Sequence, residues 1–127
     1  MTHLKVGEET PFFFGINQYG KELSLSNFLD KKLILYFYPK DNTPGCTAES
    51  CNLNENHTIL LEKGFNILGI SPDSEKSHLQ FITKYSLSFN LISDFEKKIC
   101  IDYGVWGKKK FMGREYLGVH RTTFIIN

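Results

Sequence analysis

The chain lacks the features that mark several large classes of protein. It contains only three cysteines, without a Cys-x-x-Cys pair, and no apolar run near the roughly 20 residues of a membrane helix. Its 15 basic and 14 acidic residues nearly balance, so charge gives no reason to expect nucleic acid. No Gly-rich phosphate loop and no paired zinc ligands are present. The sequence therefore predicts no nucleic-acid, nucleotide or metal binding and no insertion in a membrane.

The start of the chain also lacks the pattern of a secretory signal. Residues 1–6 (MTHLKV) have no apolar segment typical of a secretory signal, so we expect a cytoplasmic protein. Because that compartment keeps thiols reduced, three cysteines predict a transient disulfide rather than a static framework. Without repeats or linkers, the 127 residues predict one domain, residues 1–127.

The hydrophobic pattern predicts strands that alternate with helices, and hence an α/β layered domain. The predicted strands are 12–14 and 21–23 (a hairpin), 32–38, 65–70, 91–93, 116–117 and 122–126. The predicted helices are 46–63, 75–85 and 95–103. Their expected inner faces carry Leu53, His57, Leu60 and Leu61 in the first helix and Leu79, Ile82 and Tyr85 in the second. Lys108, Lys109 and Lys110 are expected to form a solvated loop.

The most informative segment is residues 39–46 (PKDNTPGC), with Cys51 five residues further on. A buried strand precedes this segment, and Pro44 with Gly45 favours a helix beginning near Cys46. Thiols at helix N-termini face unpaired N–H groups and the positive end of the dipole, which stabilise the thiolate. Cys46 is therefore predicted to be reactive, with Cys51 as its candidate partner.

The pattern Pro-x-x-x-Thr-x-x-Cys of this segment resembles the active-site loop of the peroxiredoxins. Residues 35–47 (LYFYPKDNTPGCT) are similar to one subgroup, the bacterioferritin comigratory protein or peroxiredoxin Q type. Further similar segments follow in the same order. They are 69–74 (GISPDS), 77–78 (SH), 91–94 (LISD), 103–107 (YGVWG) and 118–126 (GVHRTTFII). The resemblance covers nearly the whole chain.

The resemblance implies a thioredoxin-like fold, with a central mixed sheet flanked by helices, and assigns the catalytic residues. Cys46 would attack a hydroperoxide and become a sulfenic acid. Thr43 would hydrogen-bond the peroxide, Arg121 would stabilise the thiolate and polarise the substrate, and Pro39 would shield the site. No metal, haem, flavin or other cofactor would take part.

The resemblance also implies that Cys51 resolves the sulfenic acid as an intramolecular Cys46–Cys51 disulfide. Thioredoxin or a similar dithiol would then reduce this disulfide, and a monomer would suffice. Residues five apart on an ideal helix have Cα atoms roughly 8–9 Å apart, whereas a disulfide tolerates at most about 7 Å. We therefore expect residues 43–53 to unwind during catalysis.

In the resembled subgroup a further edge strand and a C-terminal helix follow the strand at 122–126. The chain ends at Asn127. The expected fold therefore lacks these two elements and leaves an apolar face uncovered.

The sequence leaves open alternative roles for individual residues and alternative functions for the protein. Cys51 could be structural, and Cys100 is expected to lie in the core. Trp106 is expected either to line the mouth of the site or to pack in the core. The rival functions are a general thiol–disulfide oxidoreductase, which the missing Cys-x-x-Cys disfavours, a redox sensor that signals through Cys46 and Cys51, and an inactive remnant.

Overall fold

The computed structural model describes residues 2–127 and contains eight strands within them. Met1, which opens the predicted domain 1–127, lies outside the described residues. The strands are β1 (Phe14–Asn17), β2 (Glu22–Ser24), β3 (Lys32–Phe37), β4 (Phe65–Ser71), β5 (Asn90–Ser93), β6 (Trp106–Phe111), β7 (Arg114–Val119) and β8 (Thr122–Ile126). The helices are α1 (Pro44–Glu55), α2 (His57–Glu62), α3 (Glu75–Tyr85) and α4 (Lys98–Asp102), with a 3-10 turn at Leu25–Phe28.

Six strands form the central sheet, in the order β2-β1-β5-β4-β3-β8. Neighbouring strands β3, β4 and β5 run parallel, whereas β8 runs antiparallel to β3 and β1 antiparallel to β5. The predicted mixed sheet is therefore confirmed. Strands β6 and β7 pair only with each other, as a separate antiparallel ribbon.

The central strand β3 divides the core into two halves, because alternate side chains of a strand point to opposite faces. Leu33, Leu35 and Phe37 pack in one apolar cluster together with Cys100 of α4. Ile34, Tyr36 and Tyr38 pack in the other cluster, which includes residues of α1 and α3. Helices therefore flank both faces of the sheet, as predicted.

The predicted helix at 46–63 is wrong in its bounds. It begins at Pro44 and breaks at Asn56, whose backbone (φ −98°, ψ 3°) leaves the helical region. The backbone N–H and the side-chain amide of Asn56 both donate to the Asn52 carbonyl, so this residue caps the end of the helix. Leu53 and Leu60 pack on the core as expected, but Leu61 is exposed.

The predicted inner face of α3 also needs correction. Leu79 is exposed, and the residues that α3 buries fully are His78, Phe81 and Ile82. Tyr85, which was assigned to the inner face, does pack partly against the core. The true inner face is therefore rotated by one residue from the one that the apolar pattern favoured.

Residues 108–110 were predicted to form a loop, but they lie in strand β6 and pair with β7. A two-residue turn joins these strands at Met112 and Gly113, both of which have positive φ (51° and 79°). Such angles suit the tight turn of a two-residue hairpin. The predicted strand at 116–117 is therefore longer than expected and covers Arg114–Val119. Separately, the predicted helix at 95–103 is shorter than expected and covers Lys98–Asp102.

Strand β8 forms one edge of the sheet, and Ile125 on it is 59% exposed. A cavity of about 660 Å³ lies beside it, lined by Leu4, Val6, Phe124 and Ile126 among others. Among residues 2–127, no helix has the length and apolarity needed to cross a membrane.

Candidate active site

The sheet register explains why two distant parts of the chain meet at the site. Strand β8 runs antiparallel to β3, and Thr122 pairs with Phe37 at the carboxyl end of β3. Arg121 immediately precedes β8, while the loop that leads to α1 immediately follows β3. The register therefore brings Arg121 beside the start of α1.

Cys46 lies in the first turn of α1, where the backbone favours a negatively charged group. Thr43 is the extended N-cap residue, and Pro44 takes the first helical position, where its missing N–H costs nothing. The unpaired N–H groups and the dipole of this 12-residue helix point toward its start. The Cys46 side chain is only 1% exposed and packs with Tyr36 and Tyr38.

Arg121 contacts the sulfur directly. Its Nη2 donates to Cys46 Sγ at 3.2 Å, and its Nη1 donates to Glu49 Oε1 at 3.1 Å. Partial burial lowers the pKa of Arg121, but the hydrogen bond to Cys46 and the charge of Glu49 outweigh it, so the pKa is raised overall. A permanent positive charge thus faces the sulfur and is held there by a carboxylate.

Glu49 is a site residue that sequence reasoning missed. It lies three residues after Cys46 on α1, so the two side chains share one helical face. The three-residue spacing between Cys46 and Glu49, together with the predicted helix, is the sequence pattern that could have identified Glu49. Ser50, also on α1, is tied to β3 through its hydroxyl, which lies 2.9 Å from the Tyr36 hydroxyl.

The other predicted residues, Thr43 and Pro39, lie in the loop between β3 and α1. Thr43 is half-buried, and its hydroxyl donates to the Lys40 carbonyl at 2.9 Å. Its oxygen therefore keeps lone pairs that can accept a hydrogen bond. Pro39 is half-buried and directly follows the buried Tyr38.

Cys51 lies on α1 with Cys46, and all three cysteines are free thiols in this structure. The helix is continuous from Pro44 to Glu55. Residues five apart on such a helix are separated by roughly 8–9 Å between Cα atoms, which is too far for a disulfide. A bond between these two cysteines therefore requires α1 to unwind.

Cys100 lies in the core on the opposite face of the sheet from Cys46 and is fully buried. Burial, together with the charge of Asp94, raises the pKa of its thiol well above the usual range. Trp106 packs against the same core cluster. These placements favour the packing roles for both residues.

We expect Cys100 to resist alkylation in the folded protein, since the reagent needs an accessible thiolate. Iodoacetamide at pH 8, followed by peptide mass mapping, should label the half-buried Cys51 and leave Cys100 unmodified. The same treatment in denaturant should label all three cysteines. Labelling of Cys100 in the native protein at the rate of Cys51 would show that its core opens readily.

Fold and site together define a class: a thioredoxin-like α/β protein with a cysteine–arginine pair at the start of the helix that follows the central strand. The family comparison is more specific, because residues 6–127 match the AhpC/TSA family. The chain therefore belongs to the AhpC/TSA family, and its relatives place it in the peroxiredoxin Q or bacterioferritin comigratory protein subgroup. The resemblance inferred from sequence is thus confirmed.

Three relatives illustrate the match. A putative peroxiredoxin Bcp of Haemophilus influenzae is 49% identical over 127 residues, which cover 100% of this chain and 82% of the relative. A cysteine-to-serine variant of Xylella fastidiosa PrxQ superposes with a TM-score of 0.92 at 31% identity, covering 99% of this chain and 80% of that one. A Xanthomonas campestris bacterioferritin comigratory protein gives a TM-score of 0.83 at 35% identity, covering 89% and 72%.

Proposed function

We propose that this protein is a thiol-dependent peroxidase that reduces hydrogen peroxide and organic hydroperoxides. The observation that carries the proposal is the 3.2 Å contact between Arg121 Nη2 and Cys46 Sγ at the start of α1. The overall reaction converts ROOH and two thiols into ROH, water and a disulfide. The Xanthomonas campestris relative is described as having alkyl peroxide reduction activity, which supports this class of substrate.

In the first step the Cys46 thiolate attacks the terminal peroxide oxygen and the O–O bond breaks. The sulfur is oxidised to a sulfenic acid, and the leaving RO⁻ takes up a proton to become ROH. Arg121 stabilises the thiolate and the charge that develops on the oxygens. Thr43, whose oxygen can accept a hydrogen bond, orients the peroxide, and Pro39 limits the access of water.

In the second step the Cys51 thiolate attacks the sulfenic acid, forming the Cys46–Cys51 disulfide and releasing hydroxide, which takes up a proton to become water. This step needs α1 to unwind, because the intact helix holds the two residues too far apart. Thioredoxin or a similar dithiol then reduces the disulfide. Because the disulfide is intramolecular, the cycle requires only one copy of the chain.

Peptide mapping after oxidation tests this function directly. The reduced protein receives one equivalent of hydrogen peroxide at low concentration, and its disulfides are identified by mass spectrometry. Rapid formation of a Cys46–Cys51 link is the expected result. Thiols that stay free after this treatment would refute the proposed peroxidase activity.

Gly45 offers a test of the arginine contact that replaces none of the catalytic residues. A Cβ atom on residue 45 would lie 3.1 Å from Arg121 Nη2, which is tighter than an ordinary contact. We expect Gly45→Ala to displace the guanidinium by a few tenths of an ångström and to slow Cys46 oxidation about threefold, well below the about 10²–10³ in rate that losing one such donor entirely typically costs. Stopped-flow measurement with hydrogen peroxide gives the rate.

As a control, Gly45→Ala should change the rate of Cys46 oxidation without changing the stability of the protein. The displaced group is the end of a flexible side chain, so thermal stability should change little. Gly64→Ala is a matched comparison on the surface, where the new Cβ has open space but the positive φ of 86° adds backbone strain. It should lower stability without slowing Cys46 oxidation. Equal rates for Gly45→Ala and wild type would argue against the role given to Arg121.

A further inference from the structure

A buried polar cluster lies directly behind the loop that carries Cys46. Its centre is the contact between His78 Nδ1 on α3 and Asp41 Oδ2 in the loop, at 2.7 Å. The side chains of His78 and Asp41 are only 0% and 3% exposed. Sequence reasoning gave neither residue a function, and the peroxidase mechanism described above does not use them.

The hydrogen-bond partners of this pair fix the number of protons that it holds. His78 Nε2 lies 3.0 Å from the Ile92 carbonyl, which can only accept, so Nε2 carries a hydrogen. The Asp41 carboxyl group already accepts from the Tyr38 hydroxyl on one oxygen and from the Ser77 hydroxyl on the other. At 2.7 Å the contact between His78 Nδ1 and Asp41 Oδ2 is attractive only with a proton between them.

The Tyr38 hydroxyl lies 3.4 Å from His78 Nδ1 and donates to Asp41 Oδ1, so it does not place a proton between Nδ1 and Oδ2. Burial, together with the charges of Tyr36 and Asp41, raises the pKa of Tyr38 well above its usual value. Its hydroxyl therefore stays protonated and remains a donor to Asp41. The extra proton must then belong to the pair itself, either on the imidazole or on the carboxyl group.

Hydrogen bonds in and beside this cluster connect the start of the loop to Asp73 and to α3. The Asp41 N–H donates to Asp73 Oδ2 at 2.7 Å, in the segment between β4 and α3. The next residue, Asn42, has a positive φ of 59°, and its side-chain oxygen accepts from Lys84 Nζ and the Tyr85 hydroxyl at the end of α3. Residues 41 and 42 are thus held against the whole length of α3.

We propose that Asp41 and His78 hold one buried proton between them and act together as positioning residues, which fix the start of the Cys46 loop against α3. The proposal rests on the peroxidase function proposed above and deepens it. With residues 41 and 42 held, the first turn of α1 keeps Cys46 at Arg121. When α1 unwinds for the disulfide, the chain pivots after Asn42 while the loop start stays in place.

A metal ion is a less suitable occupant of this cluster. Asp41, Asp73 and His78 offer ligand atoms that lie within 4.8 Å of one another. However, two ligands of one tetrahedral zinc ion lie about 3.3 Å apart, given bonds of roughly 2.0–2.1 Å. The 2.7 Å between His78 Nδ1 and Asp41 Oδ2 is too short for that arrangement and suits a shared proton.

Nuclear magnetic resonance of the reduced wild-type protein tests the proton directly and needs no variant. The ¹⁵N shifts of the His78 ring and the ¹³Cγ shift of Asp41 report where protons lie. We expect either a protonated Nδ1 or a protonated Asp41 carboxyl group at neutral pH. A bare Nδ1 facing an ionised Asp41 would overturn the proposal.

Rates of Cys46 oxidation test the positioning role. Asp41→Ala removes the contact between Asp41 and His78. We expect Cys46 oxidation to slow about tenfold to a hundredfold, because small displacements of reacting groups can lower a rate by about 10². Asp41→Asn can donate to a neutral His78 Nδ1 and still accept from Tyr38. It should return to within about threefold of the wild-type rate, the size of one modest neutral hydrogen bond.

A matched control lies outside the loop. His57 on α2 is another hydrogen-bonded histidine, with Nδ1 2.6 Å from the Ser88 hydroxyl. His57→Ala should leave the oxidation rate unchanged. A wild-type rate for Asp41→Ala, or an Asp41→Asn variant as slow as Asp41→Ala, would overturn the positioning role.

The two proposals fail in different ways. Wild-type protein whose Cys46 never reacts with peroxide would overturn the peroxidase function and, with it, the positioning role. The resonance measurement would still decide the shared proton. Active wild-type protein with a bare Nδ1 and an ionised Asp41 would overturn the pair alone.

Discussion

Replacing Cys46 with serine is expected to abolish peroxide reduction. A serine hydroxyl fits the same buried position, and Arg121 can still donate to its oxygen, so the change tests chemistry rather than packing. The hydroxyl is not ionised near neutral pH and is a poor nucleophile toward the O–O bond, whereas a thiolate is a good one. Consumption of hydrogen peroxide, followed with thioredoxin, its reductase and NADPH, should fall to the level without the protein.

The control for this prediction is the loss of a different cysteine. Cys100→Ala removes a thiol from the core behind the opposite face of the sheet, where the proposed reaction does not take place. Provided circular dichroism shows a folded protein, it should still consume peroxide. Steady consumption by Cys46→Ser would instead rule out Cys46 as the nucleophile and direct attention to Cys51.

The sequence predicted the central part of the site because that part is local. Residues 33–38 form a continuous apolar run, and Pro44 with Gly45 marks a helix start, so both the buried strand and the position of Cys46 follow from neighbouring residues. Arg121 is 75 residues from Cys46 along the chain. Local pattern could not place it beside the sulfur, and only the family resemblance suggested it.

The cluster behind the loop shows why other features escaped prediction. Sequence reasoning assigned no role to His78, and the apolar pattern placed Leu79 on the inner face of α3 instead. A helical apolar pattern finds a core face only when that face is apolar. Here α3 buries a histidine, which is compensated by Asp41 from another element. Such pairing depends on tertiary packing and leaves no periodic signal.

The ribbon of β6 and β7 was not predicted from the sequence, for a different reason. Its strands carry three consecutive lysines and pair with each other rather than with the central sheet. Neither strand alternates cleanly between apolar and polar residues, because only the end of the ribbon at Trp106 and Val119 reaches the core. Gly113, which has a positive φ in the turn, is a local residue that could have indicated the hairpin.

Replacing Cys51 with serine is expected to permit one oxidation of Cys46 but to block recycling through thioredoxin. Cys46 and its contacts with Arg121 do not depend on the Cys51 thiol, so the first step should keep its rate. The sulfenic acid then has no partner on α1, and Cys100 lies across the sheet, in the other core cluster. One equivalent of peroxide should be consumed rapidly, and NADPH oxidation should then nearly stop.

Trapping the sulfenic acid with dimedone and locating the adduct by mass spectrometry checks this outcome. The matched control is Asn52→Ser, an exposed neighbour on the same helix, which should cycle like the wild type. Excess peroxide should drive Cys46 in the Cys51 variant to sulfinic acid, since nothing captures the first oxidation product. Undiminished thioredoxin-linked turnover would move the resolving role to Cys100 or to an external thiol, and would remove the reason for α1 to unwind.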